Sequence, residues 1–126
     1  MPYRALLREL MDKKIVSGCI IFTPSGDIWW HTGTFPRLNE SSFIDGYYLL
    51  GEWVTYPSSV RVAGVKYLSF VNSYPDYWIL INTQGYGSLI LQMAVKNNYY
   101  FLCWLDDSQE PFDIQKEIKN MTDLFG

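Results

Sequence analysis

Apolar residues recur along the chain with two different spacings, which separate the segments expected to be helices from those expected to be strands. Near the N-terminus, apolar residues three or four positions apart predict a helix over 2–13. The same spacing predicts a last helix over 112–125, where the apolar stripe comprises Ile114, Ile118, Met121 and Phe125. Between these helices, short apolar runs separated by Gly, Pro and Asn predict strands joined by tight turns.

A β-hairpin is predicted over 17–32, with Pro24, Ser25 and Gly26 forming its turn. Its second strand carries two adjacent tryptophans, Trp29 and Trp30. Because successive side chains on a strand alternate between faces, we expect the two rings to point in opposite directions. One ring would then belong to a core, and the other would have to be covered by another element or by a partner.

A second helix is predicted over 42–53, capped by Asn39 or Ser41. Gly46 and Gly51 would each weaken it by about 1 kcal/mol relative to Ala, so we expect a short or irregular helix. The segment 60–105 then divides into about five strands with polar turns, which is typical of an antiparallel sheet.

These elements indicate a single α+β domain over 1–126. Its centre is expected to be an antiparallel sheet of about six to seven strands. The N- and C-terminal helices and the helix after the first hairpin would flank this sheet, since short helices of this kind need a surface to pack against.

The composition narrows the class of protein. Hydrophobic residues make up 48%, aromatic residues 17% and charged residues 18%, which is unlike a disordered chain and suits a sheet-rich fold. The net charge of −3, without a basic run, disfavours binding to nucleic acid. The apolar runs are too short to span a membrane and the N-terminus lacks a signal-peptide core, so we expect a cytoplasmic protein.

The sequence offers few groups for catalysis or for metal binding. His31 is the only histidine and is expected to be exposed or hydrogen-bonded. Cys19 and Cys103 lie in apolar runs, where buried free thiols are expected and a disulfide is the alternative. The acidic loop over 106–111 is expected to be solvated, with a weak calcium site as the alternative. We therefore predict no enzymatic activity, no cofactor and no metal.

Aromatic residues on the hairpin and on the terminal helices are the remaining signal. Tyr3, Trp29 and Phe125 belong to this set. They are either core residues or, if the terminal helices pack side by side over the hairpin, part of an aromatic shelf. Such shelves accept proline-rich peptides, because flat rings stack on a preformed polyproline helix at low entropic cost.

Three motifs, in order along the chain, resemble the profilin family. In the first helix, Tyr3-x-x-Leu6 followed by Leu-Met looks like the family's Trp-x-x-Tyr followed by Leu-Met. The segment 26–38, Gly-Asp-Ile-Trp…Phe-Pro-x-Leu, is similar to Gly-x-Val-Trp…Phe-Pro-x-Leu at the same spacing. The segment 63–67, Ala-Gly-Val-Lys-Tyr, is similar to the Gly-Gly-x-Lys-Tyr that opens a central strand.

The resemblance implies a small, monomeric, cytoskeleton-associated protein that binds actin monomers and regulates filament assembly. It implies an actin-binding face on the later strands and the last helix, comprising Arg61, Val71, Trp78, Lys116, Lys119 and Asn120. It also implies a site for proline-rich peptides, comprising Tyr3, Leu6, Trp29 and Phe125, and a site for phosphoinositides on basic surface residues.

Departures from the family pattern weaken parts of this picture. Leu6 replaces an aromatic residue, Asp123 falls near a His or Tyr position, and Val71 stands where basic residues are common. Each lost stacking ring removes on the order of 1 kcal/mol, so we predict weak or absent polyproline binding. The scarcity of Lys and Arg likewise predicts weak phosphoinositide binding. The chain thus resembles a divergent profilin, for which an archaeal origin is one explanation; the alternative is a dimeric scaffold domain of the roadblock or longin type.

Overall fold

The computed structural model describes residues 2–13, 16–33, 44–106 and 110–124, without the side chains of residues 2–4, 6, 32 and 33. Helices and strands follow one another in the predicted order. They are α1 (Pro2–Asp12), β1 (Gly18–Phe22), β2 (Ile28–Gly33), α2 (Gly46–Val54), β3 (Ser59–Val62), β4 (Val65–Ser73), β5 (Tyr77–Ile81), β6 (Ser88–Ala94), β7 (Tyr99–Leu105) and α3 (Pro111–Thr122).

The strands form a seven-stranded sheet in the order β2-β1-β7-β6-β5-β4-β3. Each neighbouring pair is antiparallel. The chain makes one hairpin, crosses to the far edge through α2, and then returns strand by strand until β7 pairs with β1. This confirms the predicted α+β class with a central antiparallel sheet and three helices.

The sheet has a core on each face, because alternate residues of the central strands are apolar on both sides. On the α1/α3 face, helices α1 and α3 pack on one cluster. It includes Leu7, Leu10, Cys19, Ile21, Ile79, Ile90, Phe101, Cys103, Ile114, Ile118 and Met121. On the α2 face, helix α2 packs on the other cluster. It includes Ile20, Phe22, Leu49, Trp53, Val60, Tyr67, Trp78, Leu80, Leu89, Leu91 and Leu102.

Helix α2 begins at Gly46, later than predicted. Its N-cap is Asp45, whose side chain accepts a hydrogen bond of 3.1 Å from the backbone N–H of Tyr48. The predicted start at residue 42 is therefore wrong, and the predicted caps Asn39 and Ser41 lie outside the described residues. The later start follows from Asp45, whose backbone is extended (φ −98°, ψ 102°) and cannot continue the helix toward the N-terminus. Gly46 lies close to the β1–β2 turn, where a Cβ would collide with the Phe22 ring.

The two adjacent tryptophans lie on the same face of the sheet, so the expectation of opposite directions is wrong. Trp30 pairs with Ile21 and Ile28 pairs with Phe22, which leaves Trp29 as the extra residue of a β-bulge. The Trp30 ring packs against the α1/α3 cluster. The Trp29 ring stands edge-on to Tyr99, 5.7 Å between centroids, and Tyr99 packs against the same cluster. The bulge thus interrupts the alternation on which the expectation rested.

Cys19 and Cys103 are buried free thiols, as predicted, on directly paired positions of β1 and β7. The Cys103 thiol donates to the Cys19 sulfur at 3.6 Å. Burial raises the pKa of the Cys19 thiol well above its ordinary value, and the contact with Cys103 adds to this. In the part of the chain that the structure describes, no helix is long and apolar enough to cross a membrane.

Candidate partner-binding surface

The predicted proline-peptide shelf is described only in part. Tyr3 and Leu6 lie on α1, but their side chains are outside the description, as is Phe125. Trp29 is 42% exposed on the α1/α3 face, which leaves part of its ring accessible. The aromatic shelf therefore stays a prediction.

An exposed aromatic pair marks the boundary between strand β4 and helix α3. Phe70 is the bulge residue of β4, where the pairing with β5 shifts register, and its side chain is 52% exposed. Phe112 lies in the first turn of α3 and is 44% exposed. The two rings contact each other at 5.3 Å between centroids with planes 67° apart. Both remain accessible to a partner, and Leu68 on β4 is a further exposed apolar residue.

Polar residues continue this patch along α3. Lys116 and Asn120 are exposed and follow Phe112 at intervals of four, so all three lie on one side of the helix. The opposite side carries the buried stripe of α3. We call the patch formed by Phe70, Phe112, Lys116 and Asn120 the β4–α3 surface.

Lys119 belongs to a hydrogen-bond network that fastens α3 to the β4–β5 turn. Its Nζ forms an ion pair of 3.1 Å with Asp76 Oδ1. Buried Gln92 donates from Nε2 to the same carboxylate oxygen at 2.9 Å and to the Asp76 backbone oxygen at 3.1 Å. Gln115 of α3 donates to Gln92 Oε1 at 2.7 Å. Lys119 is thus a structural contact as well as a surface cation.

The remaining predicted actin-binding residues lie in different environments. Arg61 is exposed on edge strand β3 and donates from Nη1 to the Gly64 backbone oxygen at 3.3 Å. Val71 is half-buried against the α1/α3 cluster. Trp78 is fully buried on the α2 face and donates from Nε1 to Ser69 Oγ at 2.8 Å. The assignment of Trp78 to a partner-binding face is therefore corrected, because a side chain enclosed by the core cannot contact a partner.

Sequence reasoning missed both phenylalanines of the β4–α3 surface. A signal for Phe112 was present, because it directly follows Pro111 and falls off the buried stripe of α3. No signal identified Phe70, because a bulge shifts side chains in a way that alternation does not predict.

The β4–α3 surface can support binding but offers no arrangement for covalent chemistry. Accessible aromatic rings bordered by a cation and an amide are typical of protein–protein contact sites. Among the described residues, no three His, Cys, Asp or Glu side chains converge as a metal site would require.

The sheet order, with terminal helices on one face and a third helix on the other, defines the profilin fold. The structure of LokiProfilin2 in complex with rabbit actin matches with a TM-score of 0.73 and 14% identity, over 94% of this chain and 91% of that one. Profilin IB of Acanthamoeba castellanii matches with a TM-score of 0.72 and 12% identity, over 98% and 94%. The chain is thus a divergent profilin-like protein in its fold.

A solved structure that is not named as a profilin shares the general arrangement of helices and strands. The gliding protein mglB from Thermus thermophilus matches with a TM-score of 0.57 and 6% identity, over 97% of this chain and 84% of that one. No family model and no curated protein matches the sequence. At these identities the structural likeness establishes the fold, and function has to be argued from the site.

Proposed function

We propose that this protein binds actin monomers and regulates their assembly into filaments, with the β4–α3 surface as its contact face. The observation that carries the proposal is the exposed Phe70–Phe112 pair beside α3, on a fold that LokiProfilin2 presents in complex with rabbit actin. The mechanism is steric: a monomer covered on one face has fewer ways to join a filament end.

The energetics favour the two phenylalanines as the centre of the contact. Each ring is about half exposed in the free protein, so a partner that covers both would remove apolar surface from water. Aromatic residues at the centre of an interface commonly carry most of its binding energy. Lys116 at the edge would act mainly on the association rate, because a rim charge is screened by solvent and salt.

The proposal also covers the location of the protein, its oligomeric state and its other ligands. The protein acts as a cytoplasmic monomer, performs no covalent reaction, and binds proline-rich peptides and phosphoinositides weakly or not at all on the sites that the family resemblance implies. Arg61 and Lys119 belong to the proposed actin contact as peripheral cations, and Val71 as a supporting residue behind it.

The first test is polymerisation of pyrene-labelled actin in the presence of excess protein. We expect delayed or slower assembly and a one-to-one complex on a sizing column. A variant with Phe70→Ala and Phe112→Ala should bind actin at least about tenfold more weakly, because two central rings are lost. Tyr48→Ala is the matched control, since Tyr48 is 42% exposed on α2, on the other face of the sheet.

A second test concerns Lys116, the surface cation of α3 that takes no part in the network around Asp76. Lys116→Glu should weaken actin binding several-fold without changing stability, and Lys96→Glu in the β6–β7 turn serves as the control. Lys119→Glu is unsuitable because it would place a second carboxylate beside Asp76. Absence of any effect on actin, together with elution as a dimer, would favour the roadblock or longin type of scaffold domain instead.

A further inference from the structure

The two cysteines of the chain lie together in the α1/α3 cluster, and the proposed actin contact does not use them. The strands that carry them, β1 and β7, are separated from β4 by β5 and β6. Both side chains are fully buried. Because Cys19 and Cys103 are the only cysteines, a disulfide within one molecule has a single possible pairing.

The register of the sheet places the two thiols opposite each other. Cys19 and Cys103 are direct partners in the antiparallel β1–β7 pairing, and their sulfur atoms lie 3.6 Å apart. Opposite residues of an antiparallel pair have Cα atoms about 4.5 or 5.5 Å apart, and both values fall inside the range of roughly 4.4–6.8 Å found for disulfides. A bond between the sulfurs therefore requires the side chains to rotate but does not require the strands to separate or to change register.

The β1–β7 pairing joins parts of the chain that are distant in sequence. Among the described strands, every other neighbouring pair is consecutive in the chain, whereas Cys19 and Cys103 are 84 positions apart. A covalent link between them would restrict the unfolded chain strongly, because the entropy that the unfolded state loses grows with the length of the closed loop. A disulfide at this position should therefore stabilise the fold.

Burial protects the thiols while the fold is closed. Helices α1 and α3 pack on the cluster that contains both side chains. Burial also raises the pKa of the Cys19 thiol, which lowers the fraction present as the reactive thiolate. An oxidant dissolved in water can therefore react only after this cover has opened, by local or by global unfolding.

We propose that Cys19 and Cys103 form a redox-responsive site, at which hydrogen peroxide that reaches the opened protein converts the two thiols into a disulfide that fastens β1 to β7. The thiolate of one cysteine attacks a peroxide oxygen, and cleavage of the O–O bond gives a sulfenic acid and a hydroxide ion. The thiolate of the other cysteine attacks the sulfenic sulfur, forms the S–S bond and expels a second hydroxide ion. The two thiol protons convert the hydroxide ions into water. The pair of sulfurs loses two electrons and the peroxide gains them.

The first experiment tests whether the folded sheet accepts the disulfide. The protein is treated with limiting peroxide in urea, where both thiols are accessible, and the monomer that has lost two hydrogen atoms by mass spectrometry is refolded. Its unfolding equilibrium constant should be roughly 100-fold smaller than that of the reduced protein, and dithiothreitol should reverse the change. A urea midpoint at or below that of the reduced protein would overturn the proposal, because the native register would then oppose the bond.

The second experiment tests whether oxidation depends on opening. The protein is exposed to peroxide at several urea concentrations below the midpoint, and the remaining thiols are alkylated and counted by mass spectrometry. The rate of disulfide formation should rise with the opened fraction. A rate that does not change with urea would contradict the protection by burial, and retention of both thiols at every concentration would exclude the reaction.

Cys19→Ala and Cys103→Ala are the matched controls, because each retains one thiol and cannot form the intramolecular bond. Peroxide also oxidises methionine, of which the chain has four, and these variants measure that background. Neither variant should gain stability from peroxide. An equal gain in either one would show that the stabilisation does not come from the Cys19–Cys103 disulfide.

Discussion

The two faces of the sheet differ at one buried polar side chain each. On the α1/α3 face, Gln92 is fully buried and its amide is paired at both ends, with Asp76 and with Gln115. On the α2 face, Trp53 is equally buried, but its indole N–H has no acceptor among the described residues. Paired groups fix one arrangement, whereas an unpaired buried donor costs free energy and fixes none.

This difference suggests that the two faces of the sheet have different roles. The α1/α3 face is fastened by Gln92 and Lys119, so the β4–α3 surface beside it is held in a fixed geometry, as a protein contact requires. The α2 face is covered by a short helix in which Gly51 faces open space and the Trp53 donor is unpaired among the described residues. Replacing the groups that differ between the faces tests this account.

Replacing Gln92 should have the largest effect on the folded state. Gln92→Leu keeps the volume but removes the amide, so Gln115 loses its acceptor and Asp76 Oδ1 loses one of its two donors. We expect a loss of roughly 2–3 kcal/mol in the free energy of unfolding. Urea denaturation measures it, and Gln115→Ala, which removes one hydrogen bond of this network, should cost less. Equal losses would show that the network does not centre on Gln92.

The next prediction contrasts the two glycines of α2. Gly46→Ala should destabilise the protein by about 1–2 kcal/mol, because the added methyl collides with the Phe22 ring and the Gly26 backbone oxygen. Gly51→Ala should stabilise it by roughly 0.5–1 kcal/mol, since the methyl enters open space and alanine favours the helix. Thermal unfolding distinguishes the signs, and a stabilising Gly46→Ala would mean that the turn and helix are not in close contact.

Helix α2 also shows how much of the fold can be predicted from the sequence alone. Spacing and turn residues predicted the element order, the sheet class and the buried stripe of α3, because these depend on local periodicity. The start of α2 could not be predicted in this way, because apolar spacing does not choose among several possible cap residues, of which Asp45 is the one used. The Trp29 bulge is a second case, since nothing in the alternation of β2 marks the extra residue.

The candidate site was predictable to a smaller extent. The surface positions of Lys116 and Asn120 could be predicted, because helix spacing places both residues away from the buried stripe. Trp78 could not be excluded from the surface on sequence grounds, because both faces of its strand are covered and an aromatic residue suits either environment. Phe70 and Phe112 are brought together only by the packing of α3 beside β4.

The buried Cys19 thiol predicts a pH dependence of stability on the α1/α3 face. The pKa of Cys19 is raised in the folded protein, so its stabilising effect is complete below the unfolded thiol pKa of about 8.5. Above that pH the unfolded state releases a proton that the folded state retains, and stability falls. We expect a loss of about 1–2 kcal/mol between pH 8 and 10, relative to Cys19→Ala as reference. Parallel profiles for the two proteins would contradict it.

The smallest effect on stability is expected from replacing the residue with the unpaired donor. Trp53→Phe removes the indole N–H together with part of the ring, so relief from an unsatisfied donor offsets part of the lost packing against Trp78. We therefore expect a change below about 1 kcal/mol in urea denaturation, which is smaller than for Gln92→Leu. Trp78→Phe is the matched control, because its N–H is paired with Ser69 and its removal should cost more. If Trp53→Phe proves the more costly change, the Trp53 donor must be satisfied in the free protein, and the asymmetry between the two faces would disappear.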